Sequence, residues 1–410
     1  MRAVEGWGKC KVRDICELGR GRVISGQEIE RNPGVFPVYS SQSINNGKMG
    51  AIDTFDFDGE YVTWTTDGAY AGTVFYRSGQ FNCTNVCGTL RAKAPQVCMS
   101  FLAYKLSTLA KDYVSYVGNP KLMNGVMAGI EISIPTSKSE QSKIAEILST
   151  VDRAIEQTES LITKQQRIKT GLMQDLLTRG IDEHGNLRSE QTHQFKDSPL
   201  GKIPVEWALK RIGDVFEIQL GKMLSQKAIE GRFPFYYLGN KNVQWDYVDT
   251  SGLQQMDFCE RERCKYELNL GDILVCEGGE VGRTAIWRGE VESCYYQKAV
   301  HRLRPIDHQF LPGLFPRFMK WCINNGLLSD YTSQTSIAHL TQEKLAAAPI
   351  MVPAFPEQKE INDIFDQFDI ELGNQTAKLN KIRVLKIALM QDMLTGKKRV
   401  TELLKTSITN

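Results

Sequence analysis

Residue by residue, the chain describes a duplicated protein of strands and helices, ordered globular segment, long helix, globular segment, long helix. Three observations predict this. The heptapeptide LMQDLLT at 172–178 returns as LMQDMLT at 389–395. Each copy closes a stretch whose apolar residues recur in steps of three and four, the period of an amphipathic or coiled-coil helix. Each stretch follows an apolar strand closing in proline, Glu131-Ile-Ser-Ile-Pro135 and Pro349-Ile-Met-Val-Pro353. At 410 residues, 41% of them hydrophobic and 24% charged, the chain exceeds one ordinary core and fits two globular domains.

The first globular segment opens with Trp7-Gly-Lys-Cys-Lys-Val-Arg-Asp-Ile15 and the second with Trp207-Ala-Leu-Lys-Arg-Ile-Gly-Asp-Val215. Phe36-Pro-Val-Tyr39 answers Phe233-Pro-Phe-Tyr236, and the run from Asp58 to Gly72 resembles that from Leu270 to Gly282. Between these anchors the two segments scarcely match, so one scaffold carries two surfaces.

Superposing Glu140-Gln141 on Glu357-Gln358 aligns the helices without a gap. Ile144 falls on Ile361, Asp152 on Asp369 and Lys169 on Lys386. Repeated polar identities exceed what two unrelated amphipathic helices would share. Ser139 reads as an N-cap, and Glu140 and Glu357 suit the positive end of a helix dipole. The expected seam comprises Ile144, Leu148, Val151, Ile155, Ile162, Ile168, Leu172 and Leu176, and Ile361, Phe365, Phe368, Leu372, Leu379, Ile382, Leu385 and Leu389. Thr158 and Gln375 interrupt it at equivalent positions, where polar residues set register. A helix from Glu140 to Thr178 would be about 57 Å long. Paired antiparallel, such helices give a pseudo-two-fold that presents the globular segments to two half-sites, as symmetric DNA-binding dimers do. Divergent heads would read unlike half-sites.

The ten cysteines are scattered and read as reduced core thiols. Cys83 with Cys87 and Cys259 with Cys264 come nearest to ligand spacing, yet no CxxC pair or adjacent histidine completes a metal site. No apolar run approaches the roughly 20 residues of a membrane span, so a cytoplasmic protein without membrane contact is expected. With a net charge of +2, any DNA phosphates must meet local basic patches or a more basic partner. No phosphate loop and no Asn/Asp-Pro-Pro-aromatic methyltransferase motif is present, since Asn119-Pro120-Lys121 lacks the second proline. Glu357-Gln-Lys359 imitates half of a nuclease motif, but its copy reads Glu140-Gln-Ser142, and helix capping explains the shared Glu better. Of His184, His193, His301, His308 and His339, none has a catalytic partner in sequence; most read as surface or linker residues, and only His339 follows a polar run of interest.

Taken together, the linker Lys196-Asp-Ser-Pro-Leu-Gly-Lys-Ile-Pro-Val-Glu-Trp207, the Gly271-Asp-Ile-Leu-Val275 strand with its Gly-rich turn, the Pro then Glu-Gln start of each helix and the LMQDLLT endings resemble the specificity subunit of type I restriction-modification systems over essentially the whole chain. The resemblance implies an α+β fold: two pseudo-symmetric target-recognition domains with twisted sheets, separated by two long helices forming an antiparallel coiled coil. The boundaries expected are 1–136 and 199–353 for the recognition domains, 137–180 and 354–396 for the helical spacers, 181–198 for the linker and 397–410 for the tail. It further implies a noncatalytic subunit that recognises a bipartite double-stranded DNA target and docks two adenine-N6 modification subunits and the motor-nuclease restriction subunits. S-adenosylmethionine, ATP and Mg are then expected on those partners and no cofactor on this chain. Trp64-Thr-Thr-Asp-Gly68 departs from Cys276-Glu-Gly-Gly279, so contacts are not transferred through that turn. The competing readings are a coiled-coil protein scaffold that does not touch DNA and a self-contained methyltransferase or nuclease.

Base readout needs paired donors and acceptors. Two equivalent stretches offer them: Ser40, Gln42, Asn45, Asn46 and Lys48 in the first segment, and Asn240, Lys241, Asn242 and Gln244 in the second. Arg20, Arg22 and Lys222 stand beside glycines and are candidate phosphate contacts. Lys121, with Gln334 and Ser336, forms a second matched group before each final strand, and His339, just beyond the second of these runs, is a separate candidate. The tail Lys397-Lys-Arg399 either binds phosphate or ends a helix favourably.

Overall fold

The computed structural model describes residues 4–41, 44–231, 233–331 and 339–406. The chain forms two compact units, residues 1–160 with 376–410, and residues 161–375. Each therefore takes one globular segment and half of each long helix, Lys138–Thr178 and Phe355–Leu394. The helices have 41 and 40 residues, about 60 Å each. The first starts at Lys138, so Ser139 lies inside its opening turn and does not cap it.

In the first unit, a four-stranded antiparallel sheet runs in the order Cys16–Arg20, Cys87–Ala92, Tyr61–Thr65, Val74–Arg77. A second sheet, ordered Lys48–Ile52, Pro33–Tyr39, Gln80–Cys83, Phe57–Asp58, contains one parallel pair, Val38 with Asn82 and Tyr39 with Cys83. Trp7–Lys11 and Glu131–Pro135 pair beneath the helix. The second unit repeats the plan. Its main sheet is ordered Phe216–Leu220, Val300–Pro305, Ile273–Cys276, Thr284–Ile286, and its smaller sheet again has one parallel pair, Tyr237 with Tyr295 and Leu238 with Tyr296. The equivalence this sets is Tyr39 with Leu238, so the Phe-Pro match in the sequence is displaced by two residues. An additional hairpin, Phe195–Ser198 with Gly201–Pro204, precedes it.

The two main sheets solve one packing problem in opposite ways. Trp64 stands across from Gly88, where a Cβ would lie 2.2 Å from the indole, and its Nε1 donates to Leu122 O at 2.9 Å. At the equivalent pair, Val275 faces His301, and the large ring now comes from the other strand. His301 Nε2 lies 2.8 Å from Leu340 O, and Leu122 and Leu340 are pinned alike, donating to Thr66 O and Glu277 O. His301 is fully buried, not a surface or linker residue. Its ring is lowered in pKa from the ordinary 6.5, first by burial and against the opposing pull of Leu340 O, Glu277 and Glu343. The neutral ring is thus favoured in the fold. Its contribution is fully present above 6.5 and lost as pH falls below that value, with a slope of up to about 1.4 kcal/mol per pH unit. Melting curves taken through this range are expected to show that slope, and His301→Gln is expected to remove it.

Glu140-Gln141 and Glu357-Gln358 fasten each helix to its own unit. Gln141 accepts from Cys98 N at 2.8 Å and donates to Pro135 O at 2.8 Å. Gln358 does the same with Leu311 N and Pro353 O, both at 2.8 Å. The carboxylates do not cap. Glu357 is clasped by Arg188 Nη1 at 2.5 Å and accepts from Trp207 Nε1 at 3.1 Å and Ile181 N at 3.0 Å. Glu140, 1% exposed, is held two-handed by Arg399 at 2.5 and 2.7 Å. The tail arginine is therefore a clasp, neither a phosphate hook nor a helix terminator. Gly180, at φ 61°, has its Cβ position 2.1 Å from Glu357 Oε1, so this turn excludes any side chain.

Between the helix halves, Lys386 bonds Asp152 in the first unit and Lys169 bonds Asp369 in the second, one ion pair written twice. Ile144 and Leu148 enter the first unit's core, Ile361 and Phe365 the second's, and Leu389 and Leu172 pack against those cores. Val151, Ile155, Phe368 and Leu372 are half-buried. Ile168 and Leu385 are exposed, so the expected seam is too wide: the helices turn these residues outward. Thr158 bonds Ala154 O in its own helix, and among the described residues its hydroxyl makes no bond to the other long helix. All ten cysteines are free, but Cys259 and Cys264 are exposed and so are not core thiols. No helix of the described residues is long and apolar enough to cross a membrane.

Candidate nucleic-acid interface

In each unit the polar stretch follows the strand that enters the parallel pair, so the framework delivers it to the same end of that pair. In the first unit Asn45 and Asn46 take left-handed φ values of 52° and 54°, which asparagine tolerates. Asn45, Asn46 and Lys48 are exposed, and Ser40 is half-buried, accepting from Thr84 Oγ1 at 3.2 Å. Gln42 lies outside the described residues. Beneath the turn lies Arg77, 3% exposed, which donates to Asn46 O at 2.8 Å and stacks 3.5 Å from the Tyr39 ring centroid. Burial lowers its pKa against the pull of Tyr39 and the neighbouring thiols. Sequence reading missed this support, because its partners come from three separate strands and a turn.

In the second unit Lys241 is exposed, while Asn240 and Gln244 are half-buried, donating to Gly278 O and Lys241 O. Asn242 is different. It is 4% exposed, accepts from Gly239 N at 2.9 Å and donates to Asp249 O at 2.9 Å, so it shapes the loop and presents nothing to a groove.

The basic residues beside glycines are already engaged. Arg20 donates to Asp67 at 3.1 Å and to Asn85 O, and Arg22 to Glu28 at 2.6 Å and Asp56 at 3.0 Å. Those bonds, that to Glu28 foremost, raise the Arg22 pKa. Lys222 donates to Asp257 O at 2.5 Å and Glu262 at 2.6 Å. A phosphate would have to compete with these carboxylates. The neighbouring glycines serve the fold: Cβ atoms at Gly21 and Gly221 would lie 2.1 Å from Cys83 O and 2.3 Å from Gln297 O. Lys121 and His339 occupy equivalent, exposed positions, each one residue before a pinned leucine. Gln334 and Ser336 lie outside the described residues.

Two frameworks alike in strand order, parallel pair and pinned leucine, yet unlike at the surface they present, are what the family comparison explains. The model of the type I restriction modification DNA specificity domain matches residues 4–165 and again 204–383. The chain belongs to that family. A Mycoplasma pneumoniae type I specificity subunit N-terminus is 56% identical over 141 residues, 34% of this chain and 75% of that protein. The MpnII specificity subunit of the same organism is 49% identical over 139 residues, 34% of this chain and 42% of its own length. The similarity to these relatives thus spans about a third of the chain. The crystal structure of the type I S subunit from M. genitalium covers 94% of this chain and 96% of its own at a TM-score of 0.60 and 18% identity. A chain from a study of type I complex assembly gives 0.55 at 15% identity, covering 96% and 99%. At such identities these two structures speak to the fold, and they carry the α+β arrangement of two repeated domains and long helices. Each matched stretch contains one framework sheet pair and most of the long helix that follows it.

Proposed function

We propose that the chain is the noncatalytic DNA-recognition subunit of a type I restriction-modification complex. Each globular segment reads one half of a bipartite double-stranded target, and the helices set the unread spacer between the halves. The observation that carries this is the pairing of a shared framework with exchanged residues beside the polar loops. Ser40 and Thr84 stand where the second unit has Gly239 and Gln297, while the backbone bonds that hold Thr84 and Gln297 are the same in both units. A scaffold for one repeated partner has no need of such divergence.

The second long helix exposes Ile370, Val384, Leu385 and Ile387, and the first exposes Leu161 and Ile168. These apolar residues support docking of two modification subunits onto the helices. The modification subunits supply S-adenosylmethionine chemistry at adenine N6, and the restriction subunits supply ATP- and Mg-dependent cleavage; this chain holds none of those groups. The test is N6-methyladenine mapping in cells with and without the gene, alongside its modification partner. A split motif that vanishes with the gene is the expected result. Absence of any gene-dependent motif, from a soluble complex with an active modification subunit, would leave a scaffold.

A further inference from the structure

The smaller sheet of the second unit holds a polar cavity of about 190 Å³, lined by Tyr237, Asn240, Lys241, Gln254 and Gln297 among others. Its groups are partly uncommitted. Gln254 Oε1 accepts from Tyr237 OH at 2.8 Å, which orients the amide, and among the described residues its Nε2 makes no bond. The half-buried Gln297 makes no side-chain hydrogen bond among the described residues, although its backbone is fixed by Leu238 O, Val300 N and the bridge to Lys222. Gly239 makes the room: a Cβ there would lie 2.5 Å from Gln297 Nε2.

The first unit shows what the framework itself requires. The sheet registers equate Tyr237 with Val38, Gln254 with Gly50 and Gln297 with Thr84. None of these positions keeps its side chain, and in the first unit the space is closed by the Thr84–Ser40 hydrogen bond and by Ile29 packed on Gly50. The fold therefore does not need the two glutamines. A half-buried, backbone-anchored amide without a partner leaves a donor and an acceptor unused at a fixed position.

We propose that Gln297, oriented beside Gln254, is a base-reading residue of the second half-site, engaging in the major groove a base that presents a donor next to an acceptor, as adenine does. This rests on the DNA-recognition reading above. Gln297 lies outside both polar stretches that sequence singled out, 56 residues beyond Lys241 by chain but beside it in the cavity.

The full chain is tested with its modification subunit, by mapping methylated motifs and by titrating the complex with duplexes carrying the wild-type motif. Gln297→Ala is expected to relax one position in one half of the motif and to weaken that duplex roughly tenfold or more, leaving the other half intact. Gln297→Glu, an isosteric change to acceptors alone, is expected to move the preference at that position toward cytosine. Gly239→Ala displaces the amide and should copy Gln297→Ala with an unchanged melting temperature. An unchanged motif in all three variants would overturn the assignment while leaving the DNA-recognition reading in place. Loss of the motif in the wild-type complex itself would bring down that reading and this inference with it.

Discussion

Arg188→Ala is expected to lower the stability of the second unit by about 3–5 kcal/mol, the cost of stranding one member of a buried ion pair. Glu357 is only 10% exposed in its side chain, so the carboxylate cannot turn to water when Arg188 is removed. Glu357→Ala should cost less through the arginine, which keeps its ion pair with Glu206 at 3.4 Å, but it also loses the bonds from Trp207 and Ile181. The first unit distinguishes this account from a general effect of removing charge. There Glu140 is 1% exposed in its side chain while Arg399 is 29% exposed. Arg399→Ala strands a buried carboxylate and should be the damaging change, whereas Glu140→Ala releases an arginine that can reach solvent. Urea denaturation of the whole chain, followed for each unit, reads the order. Equal costs for Arg399→Ala and Glu140→Ala would mean that burial does not govern the clasp.

The second large effect concerns the exchanged ring. Gly88→His should destabilise the first unit by about 3 kcal/mol or more, because the new side chain must enter space held by the Trp64 indole. Trp64→Val should cost a comparable amount, through the cavity and through an unbonded Leu122 carbonyl. Made together, the two changes reproduce the arrangement of Val275 and His301, in which the histidine reaches the equivalent carbonyl. The double variant is expected to be more stable than the sum of the single losses predicts, by about 1–3 kcal/mol of coupling. The double variant should also acquire a fall in stability at acidic pH, as a buried neutral histidine brings. Simple additivity in urea denaturation would show that the two units do not share one packing solution.

What could be read without coordinates followed from local pattern. The long helices were legible because an apolar residue every three or four positions marks a helical face wherever the chain goes. Their duplication was legible because polar identities such as Asp152 with Asp369 and Lys169 with Lys386 survived in register. The ion pairs these residues make were not predicted, yet their reciprocity follows from the same repeat. The recognition surface was legible only in part. Asn45, Asn46, Lys48 and Lys241 reach solvent, but Asn242 turns inward and Arg20, Arg22 and Lys222 are countered by acids drawn from distant segments.

By itself, then, the sequence determined the order of elements, the length and pairing of the helices and the presence of two related domains. These rest on contacts a few residues apart or on repetition, both visible in one dimension. Only the tertiary structure decided that Glu140 and Glu357 are clasps and not caps, that His301 does the work of Trp64, and that Gln297 shares a cavity with Lys241. The partners of those carboxylates stand 259 and 169 residues away. Neither hydrophobic period nor local propensity carries information across such a separation; burial does, because a charge or polar group withdrawn from water must find its partner wherever the fold supplies one.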